Sequence, residues 1–111
     1  MPEPAERGLE LRVVSPSATV FEGSVSSVVV PAWDGKVGIL PGHAPFVSLL
    51  GAGPLDYREV GGTSGRLFVR QGVVKVESHR VIVLSEYAAA TVPDDFSPGQ
   101  ATLFPDEISE A

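Results

Sequence analysis

The chain has 111 residues and a mass of 11.6 kDa, room for one domain that buries about 65% of its unfolded surface. Eight Lys and Arg against fourteen Asp and Glu give a formal charge of -6, opposite to the basic stripe with which proteins grip nucleic acid. With no cysteine, disulfide frameworks, thiolate metal sites and thiol catalysis are excluded.

The first residues, MPEPAERG, hold neither a basic n-region nor an apolar h-region, so no secretory signal is expected there. Residues 1–8 read as a flexible N-terminus. Leu9, Leu11 and Val13 then alternate with Glu10 and Arg12, the period-2 mark of a half-buried strand that Pro16 ends. Thr19 to Glu22 and Val25 to Val30 read as two strands split by Gly23. The longest apolar run, Val28 to Ala32, is far too short to span a bilayer, so the chain is expected to be soluble and to reach a membrane only through a partner. Phe46 to Leu50 lies between Pro45 and Gly51. Leu55 to Val60 and Arg66 to Arg70 flank the turn-rich Gly61-Gly62-Thr63-Ser64-Gly65, and Val73 to Glu77 and Arg80 to Leu84 flank Ser78-His79. These are two hairpins. Turn signals at this spacing point to an all-β sandwich or flattened barrel.

After Leu84 the pattern changes. Ser85 to Ala90 suits a short helical turn limited by Pro93, and Pro98, Gly99 and Pro105 break the remaining residues. Residues 91–111 carry Asp94, Asp95, Asp106, Glu107 and Glu110 with no base, whereas residues 8–90 hold seven acids and seven bases. The expected layout is a neutral domain over residues 9–86 and an acidic, Pro-broken, mostly disordered tail over residues 87–111. A neutral body suits packing on another protein better than steering a charged ligand.

Catalytic signatures are absent. There is no GxxxxGK[ST] or GxGxxG loop to cradle a phosphate. His43 and His79 lack metal-ligand spacing. A Ser–His–Asp set can be drawn from a serine, His43 and Asp34, but no GxSxG elbow supports it, and a triad is recognised by geometry rather than inventory. No catalytic residue, metal or cofactor is expected.

One stretch stands apart: Trp33-Asp34-Gly35-Lys36-Val37-Gly38-Ile39-Leu40-Pro41-Gly42-His43-Ala44-Pro45-Phe46. Asp34-Gly35 suits a tight turn, and Pro41-Gly42 makes a second that leaves His43 near a tip. Ile39 and Leu40 are expected to anchor the loop base in the core. On physics alone this is a stiff, doubly bent loop, and the reading as a scaffold connector between strands is the favoured one, because most loops merely connect.

DGKVGILPGHAPF, Asp34 to Phe46, resembles the signature loop of the epsilon subunit of F-type ATP synthase. LELRVVSPSATVFEGSVSSVVVPAWDG is similar to that family's opening, and FVRQGVVKVESHRVIVLSE to its closing hairpin, so the resemblance runs in order over residues 9–86. It implies a ten-stranded β-sandwich riding on the central stalk, against the gamma subunit and the polar loops of the c-ring, coupling ion-driven rotation to ATP synthesis without doing chemistry. It implies c-ring contacts at Asp34, Gly35, Lys36, Gly42 and His43, and a gamma contact at Ser15. It places the chain, as a peripheral part of the complex, on the cytoplasmic face of the bacterial inner membrane.

Three departures from the family pattern are visible. Lys36 stands where relatives commonly place an acid, and Gln71-Gly72 where they often show Gly-Gly. Many relatives continue into a C-terminal helical hairpin that inhibits hydrolysis or binds ATP; residues 91–111 are too short and too Pro-broken for it, so no helical inhibition and no bound nucleotide are expected. The alternative is a stand-alone β-sandwich module for a peptide or carbohydrate, which would need a cluster of exposed aromatics from the eight the chain contains.

Overall fold

The computed structural model describes residues 8–90. Every regular element within them is a strand: β1 (Leu9–Ser15), β2 (Ala18–Ala32), β3 (Gly35–Ile39), β4 (Phe46–Glu59), β5 (Ser64–Glu77) and β6 (Arg80–Ala89). The sheet order is β1-β6-β5-β4-β2-β3, and a further β1–β2 pairing closes the first five strands on themselves. All ladders are antiparallel except β1 with β6. Closure removes most free edges, and β3 lies outside the ring, paired to the last third of β2.

Six strands stand among the described residues where the resemblance implied ten. The residues that read as strand ends are places where a continuous strand bends. Gly23 sits opposite Leu11 inside the β1–β2 ladder, so Thr19 to Glu22 and Val25 to Val30 are one strand. Pro54 lies opposite Phe68 and interrupts neither β4 nor its pairing. Pro31 falls within the register shift between Val29 and Ala32, where its missing N–H leaves the β2–β4 ladder intact on either side.

The bend in β4, β5 and β6 is concerted. In β4 the buried positions are Leu50 and then Gly51, Gly53 and Leu55; in β5 they are Leu67 and Val69, then Val74 and Val76. In β6, Val81, Val83 and Ser85 are buried, after which Ala88 packs on the core. Each strand thus shifts its inward phase by one residue at the same level. The register is unbroken across that level: Gly72 pairs with Leu50 and with Ser85 on one side, and Arg70 with Ala52 and with Tyr87 on the other. Shifting phase by one exchanges the faces of a strand, so the two halves of the folded-over sheet bury opposite faces against each other. The core between them is aliphatic, with Leu9, Leu11, Val13, Val28, Leu55, Val74 and Val83 fully buried.

The phase change is built from two residues with positive φ and one serine. Gln71 has φ 62° and Gly72 φ 137°. Ser85, the buried polar side chain of the described residues, repairs the ladder there. The Arg70 N–H donates to its Oγ at 3.0 Å, and that Oγ lies 3.0 Å from the Arg70 carbonyl and 2.5 Å from the Tyr87 carbonyl. One hydroxyl proton serves these two acceptors alternately. Ser85→Ala is therefore expected to cost about 1–3 kcal/mol, measured by urea unfolding. Gln71→Gly is expected to stabilise the domain by about 0.5 kcal/mol, because an L-residue at this φ costs more than the backbone freedom a glycine loses.

Two local expectations are corrected. Ser85 to Ala90 forms no helical turn: β6 continues to Ala89, held by its pairing with Phe68 and Arg70. Leu40 is 61% exposed while Ile39 is buried, since successive strand residues face opposite sides and only one of the pair can point inward. The expectations for residues 1–7 and 91–111 lie outside the described residues.

Candidate functional site

The stretch read as a doubly bent loop contains strand β3, which pairs in register with Val28 to Ala32 of β2. Trp33 and Asp34 form the two-residue connection between these strands, with the Trp33 N–H donating to the Leu49 carbonyl at 3.0 Å. At the other end of β3, Leu40 to His43 make a type II turn. The His43 N–H returns to the Leu40 carbonyl at 3.0 Å, Pro41 takes the second position, and Gly42 supplies φ 84° at the third. The Gly42 N–H also donates to the Ser78 carbonyl at 3.1 Å, tying this turn to the β5–β6 hairpin.

The five loop residues therefore form two groups. Asp34, Gly35 and Lys36 sit at one end of β3 and are exposed; Gly42 and His43 sit beyond the other end. Four strand steps from Gly35 to Ile39 separate them by about 13 Å. The His43 ring lies edge-on to Phe46 at 5.4 Å, and its Nδ1 is 2.8 Å from the Ala44 carbonyl. That nitrogen is occupied by a carbonyl rather than a carboxylate, and Asp34 stands a strand-length away, so the triad drawn from the sequence has no geometry. Among the described residues no three His, Asp or Glu cluster as metal ligands.

Ser15 ends β1, half-buried. Its Oγ donates to the Ala18 carbonyl at 3.3 Å, which fixes the β1–β2 turn. It also lines a shallow groove with Val14, Pro16, Val73, Leu84 and Glu86.

That groove is one end of a larger feature. Across the outer face of the closed sheet, Leu49 lies opposite Val73, Val73 opposite Leu84, and Leu84 opposite Val14. Leu49 is 60% exposed and Leu84 52%. Trp33, 46% exposed, adjoins the row through its backbone bond to Leu49, and exposed Val47 lies two residues along β4. Contiguous exposed apolar surface of this kind marks an interaction site. Sequence reasoning singles out Trp33 and misses the rest, because each strand contributes one residue. A trace of the row is present in the sequence nonetheless: Val73-Val74 and Ile82-Val83-Leu84 are apolar on both faces where a solvated strand would alternate. Trp33 is the exposed aromatic among the large exposed side chains of the described residues, so those residues present no aromatic platform of the kind carbohydrate binding requires. Phe21 and Tyr57, with ring centroids 4.3 Å apart, are half-buried on the core.

Comparison with known proteins agrees with this geometry. The family described as ATP synthase, Delta/Epsilon chain, beta-sandwich domain matches residues 8–91. The ATP synthase epsilon chain of Wolinella succinogenes is 39% identical over 80% of this chain and 68% of its own length. That of Campylobacter fetus is 39% identical over 72% of this chain and 62% of its own, and that of Nitratidesulfovibrio vulgaris 40% identical over 75% and 61%. The chain thus spans about six- to seven-tenths of the length of these relatives. By structure it resembles a chain of the Euglena gracilis mitochondrial ATP synthase (OSCP/F1/c-ring assembly), with a TM-score of 0.73, 18% identity and coverage of 92% of this chain and 74% of that one. A chain of the Tetrahymena thermophila central stalk and c-ring gives 0.63, 19%, 83% and 75%. With the family matched across the whole described sandwich, the resemblance first carried by GILPGHAP is confirmed: the chain belongs to the ATP synthase delta/epsilon family and carries its β-sandwich domain.

Proposed function

We propose that the chain is a non-catalytic central-stalk subunit of an F-type ATP synthase, a coupling joint that turns with gamma and the c-ring so that ion flow drives ATP synthesis elsewhere in the complex. The exposed apolar row Trp33–Leu49–Val73–Leu84–Val14 carries this reading. It is a docking face on a closed, aliphatic-cored barrel with no constellation of reactive groups among the described residues. In this reading gamma packs on the row and on the groove that Ser15 lines. The β2–β3 tip with Asp34, Gly35 and Lys36 faces the c-ring, and the Gly42–His43 turn supplies a second contact. Lys36 offers the ring a positive charge, so the matching ring loop carries an acid. The subunit works peripherally on the cytoplasmic face of a bacterial inner membrane, and its task needs stiffness and two complementary surfaces rather than a bound nucleotide.

Co-expression with the cognate gamma subunit tests this. A one-to-one complex stable at micromolar concentration is expected; no association at that concentration would reduce the likeness to one of fold.

A further inference from the structure

The apolar row is bordered by charge on the same outward face. One step along the strands, Lys75, Ile82 and Arg12 lie side by side on β5, β6 and β1; at the second step Glu77, Arg80 and Glu10 do. Alternation puts all six outside, because the residues between them are buried. The charges are not gathered by sign: Glu77, Arg80 and Glu10 follow one another across the ladders as acid, base, acid. Lys75 lies 3.4 Å from Glu77, whereas Arg80 is exposed and joins no ion pair among the described residues.

This pattern is complementary to itself about one line. The row Leu49–Val73–Leu84–Val14 has its midpoint between β5 and β6. A half-turn about an axis parallel to the strands at that midpoint brings β5 over β6 of a second copy, and β4 over its β1. Leu49 then meets Val14 and Val73 meets Leu84, each twice. One step on, Lys75 meets Ile82 and Val47, the ladder neighbour of Lys75 on β4, meets Arg12. At the second step Glu77 meets Arg80, so no like charges stand opposite one another. An axis on β5 would set Glu77 against Glu77, and one on β6 would set Arg80 against Arg80. An axis between β6 and β1 would leave Leu49, 60% exposed, uncovered on both copies. Opposed sheets pack with their strands within about 30° of alignment, which keeps these pairs in reach near the axis.

We propose that the free chain pairs with a second copy of itself through this face, the apolar row laid on its own half-turn image and Glu77 of each copy meeting Arg80 of the other. Four strands about 4.8 Å apart and three rows of alternate residues give a footprint of roughly 20 by 20 Å. That falls short of the about 800 Å² a side typical of stable complexes, so the pair is weak and forms when the chain is concentrated. Under the coupling reading gamma takes the same face, and the second copy keeps the row from water until then. The pairing itself does not rest on that reading.

The test is sedimentation equilibrium of the full chain alone. A monomer is expected at about 1 μM and a dimer at about 300 μM. Arg80→Glu and Glu77→Arg, as separate full-chain variants, are each expected to weaken association by about tenfold or more, since each sets like charges opposite one another twice. An equimolar mixture of the two is expected to restore it as a mixed dimer, because every opposed pair then joins an acid to a base. Glu10→Arg is expected to change association little. These side chains are exposed, so the unfolding midpoints at low concentration are expected to stay in place. Recovery in the mixture shows in addition that both variants are folded. A chain that stays monomeric throughout would overturn the proposal. So would a mixture no more associated than its components. Rescue of Arg80→Glu by Glu10→Arg rather than by Glu77→Arg would overturn it too, by moving the axis between β6 and β1.

Discussion

Replacing Gly72 by Ala is expected to cost about 3 kcal/mol or more, enough to lower the midpoint of thermal unfolding by more than 10 °C or to prevent folding. Two independent costs coincide. The residue has φ 137°, outside the range an L side chain accepts, and an added Cβ would stand 1.8 Å from the Leu84 carbonyl oxygen. That oxygen is backbone in the neighbouring strand and cannot rotate away. Relief requires moving β6 where Ser85 bridges it to Arg70, so the whole phase change would be disturbed. The neighbouring substitution Gln71→Gly has the opposite expected sign, which separates the demand for glycine at position 72 from general intolerance of change in this bend. Thermal and urea unfolding of the two variants side by side make the comparison.

Placing charge on the apolar row should separate folding from assembly. Leu49→Asp together with Leu84→Asp is expected to weaken binding to gamma by about 100-fold or more, equivalent to roughly 2.7 kcal/mol. Both side chains are more than half exposed, and the unfolding midpoint of the isolated chain is expected to move little. Titration calorimetry with gamma reads the first quantity and thermal unfolding the second. Unchanged affinity would remove the row from the interface. Loss of folding would make the two leucines structural.

Much of the fold was legible where alternation is uninterrupted. Leu9, Leu11 and Val13 are fully buried between exposed Glu10 and Arg12, and both hairpins close where glycine or Ser78-His79 interrupts the apolar pattern. What misled was punctuation. A one-residue phase change at Gly51, Gln71 and Ser85 looks in sequence like the end of one strand and the start of another, because period-2 reading has no means of tracking a strand that changes faces. Only the neighbouring ladders show that the chain continues. The same ladders draw the alanine-rich end of β6 into the sheet against its helical propensity. The signature loop was legible as a family motif but not as a shape: glycine and proline density suggested irregular backbone, whereas β3 gains its regularity from pairing with Val28 to Ala32. The apolar row was invisible for another reason, since it runs perpendicular to the chain and exists only after the strands are placed in register.

The closed ring of strands, the single hydroxyl that bridges its bend and the two hydrogen-bonded ties of the β3 arm make a stiff body. Under the proposed coupling role, such a body would pass torque between the two surfaces with little loss.

The decisive measurement is ATP synthesis driven by an ion gradient in the cognate complex reconstituted in vesicles, with and without this chain. Synthesis is expected to require the chain, to return when it is added back, and to fail to return with the Leu49→Asp, Leu84→Asp variant, while the catalytic hexamer still hydrolyses ATP throughout. Full gradient-driven synthesis in its absence would contradict the account.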